Sequence, residues 1–600
     1  GATGIDIRNT TAYFIIRNCF VENGGGSWKG IYFVNVGNGK IENCTCDNNS
    51  YGISLPYSNN NNTLTNNSCD NNKFDGIYLS SSSNNTLTNN TCSNNVYDGI
   101  ELYPSCNYNT LTNNSCSNNS YGIRLDHSSN NTLDNNTCFN NYCGIYICYS
   151  WSSNYNTLTN NSCSNNSYGI YLNSTSNNTL DNNSCSNNRY NFGVWAPPGA
   201  GDISYFDHDI DNSNLVDGRP IYYLRDRENE VIDPSWNPGY VGLVRCDNIR
   251  VENLVLENNQ EGILLAGTEN SWIENCTCSN NSYLGIVLLY SSNNNTLDNN
   301  TCSNNPCGIE LYSSSNNTIE NNTCSNNSHG IQLSSSSSNN TLTNNICGNN
   351  GYGIGLGNGS SNNTLTNNIC NNNSYGIELQ FTGGNNRIFH NNFINNTNQT
   401  YGNDANFWDN GYPSGGNYWS NYTGADNYRG ENQDIPGSDG IGDTPYYVAG
   451  GAMDRYPLMN PWPGGGMVTF RLENLYTVTL EGDLWLYQGS KLVMKFYDYR
   501  TQPTYENEVV IESFIPPAHV EENENVPHPS GIGVKNVRLV LTTDDTANEI
   551  STIASFTVTK GVLASRYLEI KGEYVKPGAD RPALANEYLK IKSQYVKAPS

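Results

Sequence analysis

A unit of about 22 to 25 residues repeats along most of this 600-residue chain, and a fixed period of that length is typical of a solenoid. One copy reads NTLTNNSC at residues 62–69 and continues, after a short gap, as DGIYL at residues 75–79. A residue that recurs in every unit most often serves the unit itself. Recurrence alone is therefore weak evidence for a binding or catalytic site.

Two short strands can be recognised in each unit. A Gly-Ile pair is followed in most units by an apolar residue two positions after the isoleucine, as Leu79 follows Ile77, and a period of two indicates a strand. The Thr-Leu-Thr segment is the second strand, and the Asn-Asn and Gly pairs between strands are typical of tight turns. Each unit is predicted to form one coil, with coils stacked about 4.8 Å apart.

Identical positions of stacked coils should form ladders through the interior. We expect ladders of Ile, of Leu and of asparagines equivalent to Asn66, since side-chain amides can satisfy one another when they are buried. About sixteen coils, at one strand spacing each, would make a rod on the order of 75 Å long. We place this rod at residues 1–400, with a lateral insert at residues 190–240.

The repeat NNTLxNN(S/T)CSNNxYGI resembles that of the NosD-like proteins, which are right-handed parallel β-helices. Segments 409–420, 439–446 and 454–458 also resemble the end of such helices in archaeal cell-surface proteins. The resemblance spans about residues 1–460 and implies the fold. It implies less about function, because this fold hosts lyases, hydrolases, epimerases, adhesins and inert surface proteins.

The net charge of −26 argues against nucleic-acid and anionic-membrane partners. The repeats instead offer Asn, Ser and Thr, which suit hydrogen bonding to sugars.

No apolar run is long enough to cross a membrane. The chain starts at Gly1 without Met, and Gly4-Ile5 already matches the coil pattern. We therefore expect an exported protein cut from a longer precursor.

Most of the 20 cysteines occupy one repeat position, where we predict a stack of small buried apolar residues. A ladder of disulfides or metal ions is disfavoured, because the 4.8 Å strand spacing exceeds the Cβ separation of a disulfide and no His, Asp or Glu lies at ligand spacing. NosD proteins are associated with copper-site maturation, but the sequence predicts no copper site.

Cys19 and Cys44, in adjacent turns, are the best disulfide candidate. No Cys-x-x-Cys-His motif occurs, so we expect no haem, and we expect no nucleotide.

Asn-x-Ser/Thr sequons recur in the turns and mark N-glycosylation sites in an exported protein. Because the Asn-Asn-Thr turn creates this pattern automatically, we expect only some sites to carry glycans. Asn66 and Asn89, placed in the interior ladder, should be unmodified. The candidates are the first asparagines of exposed turns: Asn61, Asn84, Asn130, Asn177, Asn294, Asn316, Asn339 and Asn362.

Residues 401–460 are predicted to cap the open end of the rod. Trp408, Tyr418 and Trp419 would cover unpaired strand edges. The oxygen-rich side chains in this segment could bind Ca²⁺, although their spacing is not that of an EF-hand and a solvated acidic loop is the alternative. The candidate ligands are Asp426, Asn427, Asp434, Asp439 and Asp443.

Carboxylates cluster beside a histidine at residues 207–211, within the insert. Such a cluster could perform acid–base chemistry on a polysaccharide. A catalytic set on a β-helix would also need Asp, Arg or Lys on the same face of neighbouring coils, where we expect Ser, Thr and Asn. No catalytic residue is therefore assigned.

The composition changes after a linker at residues 461–466. Seven short alternating segments in residues 467–560 indicate an immunoglobulin-like β-sandwich. The similar segments 567–575 and 588–596 have apolar residues at helical spacing and predict a short αα-hairpin at residues 561–600. This basic hairpin could dock on the acidic surface of a neighbouring subunit.

These features together predict an extracellular structural protein, a subunit of a self-assembling surface layer, sheath or filament. Its partners would be other copies of itself, joined head to tail or in a lattice, and cell-surface glycans. The alternatives are a polysaccharide-active enzyme (lyase, hydrolase or epimerase) and a glycan-binding adhesin. Carboxylates and basic residues that converge in one groove would favour the enzyme, whereas exposed aromatic platforms without them would favour the adhesin.

Overall fold

Two stacks of parallel β coils make up most of the chain in a computed structural model. The structure describes residues 4–22, 28–148, 153–196, 202–402 and 406–462 with their side chains, and the backbone of the strands within residues 466–597. The first stack comprises residues 4–216 and the second residues 219–419. Nearly every strand pairs in parallel with its equivalent one coil away, as the repeat predicts.

The coils of the first stack form three sheets, named here after their recurring residues, and the third of these begins only at Thr91. The Gly-Ile sheet contains Ile5–Thr10, Lys29–Val36, Tyr51–Pro56, Ile77–Ser80, Asp98–Leu102, Tyr121–Asp126, Cys143–Cys148, Tyr168–Asn173 and Tyr190–Trp195. The Thr-Leu sheet contains Phe14–Arg17, Gly39–Glu42, Thr63–Thr65, Thr86–Thr88, Thr110–Thr112, Thr132–Asp134, Thr157–Thr159, Thr179–Asp181 and Asp209–Ile210. The Cys sheet contains Thr91–Ser93, Ser115–Ser117, Thr137–Phe139, Ser162–Ser164, Ser184–Ser186 and Leu215–Val216.

The second stack repeats this arrangement. Its Gly-Ile sheet contains Arg219–Arg225, Tyr240–Val244, Glu261–Ala266, Leu284–Leu289, Cys307–Tyr312, His329–Ser334, Tyr352–Gly357, Tyr375–Gln380 and Asn398–Gly402. Its Thr-Leu sheet contains Val231–Ile232, Arg250–Glu252, Trp272–Glu274, Thr296–Asp298, Thr318–Glu320, Thr341–Thr343, Thr364–Thr366 and Arg387–Ile388. Its Cys sheet contains Val255–Glu257, Thr277–Ser279, Thr301–Ser303, Thr323–Ser325, Ile346–Gly348, Ile369–Asn371, Asn392–Ile394 and Tyr418–Trp419.

A two-residue hairpin turn joins the stacks. Leu215–Val216, the last strand of the first Cys sheet, pairs antiparallel with Arg219–Arg225, the first strand of the second Gly-Ile sheet. Asp217 and Gly218 between them both have positive φ, at 48° and 77°, as a type I′ turn requires. Residues 190–240 therefore complete the last coil of one stack and the first coil of the next, and do not form a lateral insert on one rod.

The strand reversal places the two stacks on opposite faces of a shared 15-stranded sheet. Two right-handed coils that share a sheet but run their strands in opposite directions must lie on opposite sides of it. Burial agrees with this geometry. Ile263 and Leu265 belong to the core of the second stack, whereas the alternate residues Leu264 and Ala266 pack on the core of the first.

Buried asparagine ladders run along the turns of both stacks. Asn67, Asn90 and Asn114 are buried in successive coils, and the backbone N–H and Nδ2 of each donate to Oδ1 of the next at 2.9–3.1 Å. The prediction that Asn66 and Asn89 form the ladder is wrong by one residue. Both have positive φ, at 55° and 52°, and are exposed at the turn. That conformation directs the following asparagine inward.

Cysteines and glycines fill the narrow interior of each coil. The ladder cysteines are fully buried thiols, as predicted. The glycine of each Gly-Ile pair faces the next coil closely: a Cβ on Gly122 would lie 2.5 Å from the carbonyl oxygen of Gly144 and 2.9 Å from Cys138. Only glycine fits there without displacing backbone, which explains why the Gly-Ile pair recurs.

Aromatic residues cover the end of the second stack. Trp408 and Trp419 are buried in its core, and the ring of Trp419 stacks between Phe393 and Tyr446 at centroid distances of 4.5 and 4.4 Å. The buried carboxylate of Asp454 accepts hydrogen bonds from Trp419 Nε1 at 2.9 Å and from two backbone N–H groups. Short strand pairs extend this segment: Tyr428–Arg429 with Ile435–Pro436 and Tyr446–Tyr447 with Met453–Asp454.

Helix is almost absent from the described residues. Three short 3-10 helices span Ile203–Phe206, Pro234–Trp236 and Ala449–Gly451. No helix among the described residues combines the length and the apolar character that crossing a membrane requires.

The strands described within residues 466–597 form two antiparallel sheets. The five-stranded sheet has the order Ala518–Asn525, Thr477–Leu484, Gly466–Glu473, Arg566–Tyr574 and Leu589–Lys597. The four-stranded sheet has the order Thr504–Ile511, Lys491–Asp498, Gly533–Thr542 and Glu549–Val558. An immunoglobulin-like sandwich remains a prediction for this region.

The predicted αα-hairpin is wrong. Its two segments are the strands Arg566–Tyr574 and Leu589–Lys597, which pair antiparallel. From residue 568 to 574 and from 589 to 595, every second residue is apolar, aromatic or small, with charged or amide residues between. This period of two outweighs the partial helical spacing. Residues 463–465 of the predicted linker, the loop at residues 197–201 and the first three residues lie outside the described residues.

Candidate functional site

The outer face of the Gly-Ile sheet in the first stack carries a dense set of tyrosines and charged side chains. One row along this face runs, coil by coil, through Tyr32, Ser54, Tyr78, Glu101, Arg124, Tyr146 and Tyr171. A second row includes Tyr51, Asp98, Tyr121, Cys143, Tyr168 and Tyr190. We call this surface the tyrosine face.

Three carboxylates meet near the middle of the tyrosine face. Asp75, Asp98 and Glu101 each place a carboxylate oxygen within 4.8 Å of the other two. Asp75 and Asp98 each stand directly before a Gly-Ile pair, in adjacent coils, so stacking of the coils brings them together. The Asp98 N–H donates a hydrogen bond to Asp75 Oδ1 at 3.1 Å. Neither carboxylate oxygen of the buried Asp98 has a hydrogen-bond partner.

Burial dominates the electrostatics of this carboxylate cluster. It raises the pKa values of Asp75, Asp98 and Glu101 above their ordinary values. Repulsion from neighbouring carboxylates raises the pKa values of Asp75 and Asp98 further. Glu101 is the open side of the cluster, because 13% of its side chain is exposed, against 1% for Asp98.

Arg124 lies one coil beyond the carboxylate cluster. Its Nη1 is 3.8 Å from Asp98 Oδ2 and 3.6 Å from Glu101 Oε1, beyond hydrogen-bond distance. Its shortest contact is with Asp126, at 2.7 Å from Nη2 to Oδ2, and Asp126 also contacts Nδ1 of His127 at 2.5 Å. The guanidinium is thus held by Asp126 and leaves the cluster only partly neutralised.

Tyrosine rings flank the carboxylate cluster on both sides. Tyr51 and Tyr78 have ring centroids 5.3 Å apart, and Tyr121 stacks on Tyr146 at 5.2 Å with an interplanar angle of 16°. Tyr171 continues the row at 5.4 Å from Tyr146. Burial raises the pKa values of Tyr78 and Tyr121 to about 12, so the hydroxyls remain protonated donors at neutral pH.

The second stack closes one end of the tyrosine face. Gln260 Nε2 donates to the hydroxyl of Tyr171 at 3.1 Å, and the ring of Trp195 lies edge-on to Tyr283 at 4.5 Å. Gly193 leaves room for Gln260, since a Cβ there would lie 2.3 Å from Gln260 Oε1. The face therefore ends against a wall at the junction.

The Gly-Ile sheet of the second stack carries a smaller version of this chemistry. His329 stacks on Tyr352 at 4.8 Å, and Tyr352 on Tyr375 at 5.1 Å. Burial raises the pKa of Glu310 to about 7. Glu310 is not part of a cluster of three carboxylates among the described residues. The first stack therefore holds the denser site.

The histidine of the acidic segment at residues 207–211, where no catalytic residue is assigned, serves the fold. His208 is buried, and its Nδ1 accepts a hydrogen bond from the Asn178 N–H at 3.3 Å, at the end of an asparagine ladder. Burial lowers the pKa of His208 to about 3, which leaves it neutral. Asp207 pairs instead with Arg245 across the junction, at 2.5 Å.

The predicted calcium ligands come together in pairs through backbone contacts. Asp426 accepts hydrogen bonds from the N–H groups of Asp439 and Gly440. Asp443 accepts from the N–H groups of Asn427 and Tyr428, whereas Asp434 is exposed. The carboxylates of Asp426 and Asp443 thus hold loop segments together by hydrogen bonds. Calcium binding by the predicted ligands remains a prediction.

The other predicted sites can also be located. Cys19 and Cys44 are both present as thiols, each with its Sγ 3.4 Å from a backbone carbonyl oxygen two residues earlier, and a disulfide between them remains a prediction. The eight sequon asparagines all have positive φ at turns. Seven are exposed and Asn130 is partly buried, so their placement suits modification while glycosylation itself remains a prediction.

Sequence reasoning missed the carboxylate cluster, although signals for it exist. The segment Gly-Ile-Glu-Leu occurs at residues 99–102, 308–311 and 376–379. Aligning the repeats would have placed Asp75 beside Asp98 and Glu101 beside Arg124, each 23 residues apart. The expectation that the coils offer only Ser, Thr and Asn is wrong for this face.

Solved structures similar to this chain match it at low identity and with low TM-scores. They include the A-module of mannuronan C-5 epimerase AlgE6 from Azotobacter vinelandii, with 12% identity, 64% of this chain and 91% of that chain covered, and a TM-score of 0.24. The catalytic domain of a GH87 alpha-1,3-glucanase has 16% identity, coverage of 53% and 64%, and a TM-score of 0.24. Gene product 12 of bacteriophage phi29 has 11% identity, coverage of 94% and 79%, and a TM-score of 0.30. No curated protein matches the chain.

A family model described as "Periplasmic copper-binding protein (NosD)" matches residues 2–147, 103–218 and 206–424. Copper sites in proteins use thiolate, thioether and imidazole ligands. Among the residues that the structure describes, the three ligating side chains that converge are all carboxylates, and the ladder thiols lie one per coil in the interior. These residues do not fit a copper site. The match nevertheless covers most of the chain and both stacks, and the chain belongs to the NosD family.

Proposed function

We propose that this protein is exported to the periplasm or the cell surface and binds an extended glycan along the tyrosine face. The observation that carries this proposal is the set of tyrosines in the two rows of the face. Tyr51 and Tyr78 lie on one side of the carboxylate cluster, and Tyr121, Tyr146 and Tyr171 lie on the other. Aromatic rings offer apolar area with a hydroxyl at the rim, a combination that suits the faces and hydroxyls of sugars.

Three further features support a glycan as the ligand. The face is a long surface with one register position per coil, which suits a linear polymer. Hydroxyl, carboxylate and guanidinium groups all occur along it, so a sugar chain would meet both donors and acceptors. The chain's net charge of −26 disfavours nucleic acid, the other common extended polymer.

Affinity electrophoresis of the purified chain in gels that contain single polysaccharides, neutral or acidic, tests the proposal. Retardation by at least one polysaccharide is expected. The double variant Tyr121→Ala and Tyr146→Ala removes a stacked pair and should weaken binding about tenfold or more, since buried aromatic anchors dominate such interfaces. Tyr447→Ala, in the cap, removes an equally large but 69% exposed ring and is the control.

Two outcomes would contradict glycan binding at this face. One is a wild-type chain that no polysaccharide in the panel retards. The other is a double variant that is retarded as strongly as the wild type while Tyr447→Ala is equally unaffected. In the second case the glycan would bind elsewhere on the chain.

A structural role in a cell-surface assembly is the second candidate, because one observation favours it. Most of the repeated residues make contacts between stacked coils: the buried asparagines hydrogen-bond to one another, and the Ile, Leu and Cys ladders are buried. Repeats with this role lengthen and stabilise the solenoid. The chain would then be a glycosylated subunit of a surface layer, sheath or filament, with contacts to copies of itself.

Electron microscopy of the native cell-surface fraction and of the purified chain separates the two candidates. Ordered filaments, tubes or lattices with this chain as the repeat would support the structural role. Dispersed monomers at high concentration, with or without Ca²⁺, would contradict it and leave glycan binding as the function. Intact-mass analysis of the native protein would show whether the sequon asparagines are modified.

A further inference from the structure

We propose that Asp75, Asp98 and Glu101 bind a calcium ion on the tyrosine face. The three carboxylates come from two adjacent coils, and one oxygen of each lies within 4.8 Å of the others. Two oxygens bound to one Ca²⁺ at about 2.4 Å each can be at most about 4.8 Å apart. The spacing of the cluster is thus compatible with a shared ion.

Asp98 provides an independent reason to expect a ligand. Its side chain is 1% exposed, and neither of its carboxylate oxygens has a hydrogen-bond partner. A buried polar group without a partner costs free energy, and a buried charge costs more. A cation in the cluster would satisfy both oxygens at once.

The protein itself supplies too little positive charge to balance the cluster. Three carboxylates face one guanidinium, and Arg124 is hydrogen-bonded to Asp126 rather than to the cluster. Its contacts with Glu101 at 3.6 Å and with Asp98 at 3.8 Å are ion pairs without hydrogen bonds. A divalent ion would remove most of the remaining negative charge.

The ligand chemistry favours calcium over other metals. The cluster offers only carboxylate oxygens, which suit hard cations and not copper or zinc. Its ligands sit on two stacked coils and leave positions for water or for a ligand hydroxyl beside Glu101, the open side. Ca²⁺ accepts such irregular coordination by six to eight oxygens, whereas Mg²⁺ demands a near-ideal octahedron.

Calcium titration of the purified full chain, stripped of metal with a chelator, tests this site by isothermal titration calorimetry. Tyrosine-sensitised luminescence of bound Tb³⁺ gives a second readout. We expect Asp98→Asn and Glu101→Gln each to bind one equivalent of Ca²⁺ fewer than the wild type. Glu310→Gln changes the same position of the Gly-Ile-Glu-Leu segment in the second stack, where no carboxylate cluster forms, and should bind as the wild type does.

The variants also distinguish this site from calcium in the cap. Asp426→Asn should retain the equivalent that Asp98→Asn loses. A wild type that binds no Ca²⁺, or an Asp98→Asn variant with the wild-type stoichiometry, would overturn the proposal. If circular dichroism shows that Asp98→Asn does not fold, Glu101→Gln decides, because its partly exposed side chain can change without disturbing the core. Glycan binding is measured separately by electrophoresis, so either proposal can fail alone.

Discussion

Asn90 and Asn114 lie one coil apart, and both the backbone N–H and Nδ2 of Asn90 donate to the single Oδ1 of Asn114, at 3.0 and 2.9 Å. Nδ2 of Asn114 in turn donates backwards to the carbonyl oxygen of Leu87 and forwards to Oδ1 of Asn136, both at 3.0 Å. Each buried amide therefore joins three coils. This relation makes the asparagine ladder a continuous hydrogen-bonded column, which explains why the repeat keeps asparagine at that position.

Asn114→Ala should destabilise the first stack by roughly 2–4 kcal/mol, because it leaves two donors of Asn90 and the carbonyl oxygen of Leu87 without partners in the interior. Urea unfolding followed by circular dichroism would measure the loss. Asn113→Gly is the matched control, since it changes the exposed neighbour at a positive φ of 54° that glycine adopts freely. Equal midpoints for the two variants would contradict a structural role for the ladder.

Gly122→Ala should destabilise the chain through overpacking, by about 1–3 kcal/mol. Its Cβ would meet the Gly144 carbonyl oxygen at 2.5 Å, and backbone cannot move aside as a flexible side chain does. Gly355→Ala provides the comparison in the Gly-Ile sheet of the second stack, because its nearest neighbour would be Glu378 Oε2 at 3.6 Å. Thermal unfolding of both variants should show a lower midpoint for Gly122→Ala only.

The fold of one coil could be predicted from the sequence because each strand and turn is repeated many times. The Ile and Leu ladders lie where a period of two places them, and the buried cysteines follow from their fixed position. The ladder asparagine was misplaced by one residue, since both residues of an Asn-Asn pair suit a turn. Only the backbone conformation at Asn66 shows that Asn67 is the buried one.

The junction between the stacks was present in the sequence but was not recognised. Asp217-Gly218 is a typical two-residue hairpin turn, yet the chain around it seemed to interrupt a solenoid, in which reversed strands are not expected. The carboxylate cluster was missed for a different reason. Asp75 and Asp98 occur singly in their units, and their burial and missing partners depend on packing that no single unit contains.

Asp454→Ala should loosen the cap of the second stack. The carboxylate of Asp454 is the shared acceptor for Trp419 Nε1 and for the backbone N–H groups of Asn417 and Tyr456. Removing it would leave three buried donors unpaired, at a cost of roughly 3–5 kcal/mol. Faster hydrogen exchange confined to residues 406–462 is the expected result. Asp434→Ala, at an exposed position, should leave exchange unchanged, and equal exchange in the two variants would contradict the proposed role.

Glu261 should make the stability of the junction depend on pH. Burial raises its pKa from 4.5 to about 8, and its Oε1 accepts hydrogen bonds from the Tyr240 hydroxyl and the Val194 N–H of the first stack. The folded chain keeps this proton to a higher pH than the unfolded chain. The contribution of protonated Glu261 to the free energy of unfolding is therefore fully present below pH 4.5. It is lost as pH rises towards about 8, by up to roughly 1.4 kcal/mol per pH unit.

Glu261→Gln should remove this pH dependence, because glutamine keeps the shape of the protonated acid and has no proton to lose. The measurement is the free energy of urea unfolding between pH 5 and pH 9, compared with Glu257→Gln, an exposed glutamate of the same stack. The wild type and Glu257→Gln should weaken in parallel as pH rises, and Glu261→Gln should weaken less steeply, because other buried carboxylates with raised pKa values, such as Glu310, still titrate in it. A slope as steep in Glu261→Gln as in the wild type would mean that another group controls the junction, and that the contact between Glu261 and Val194 does not couple the two stacks.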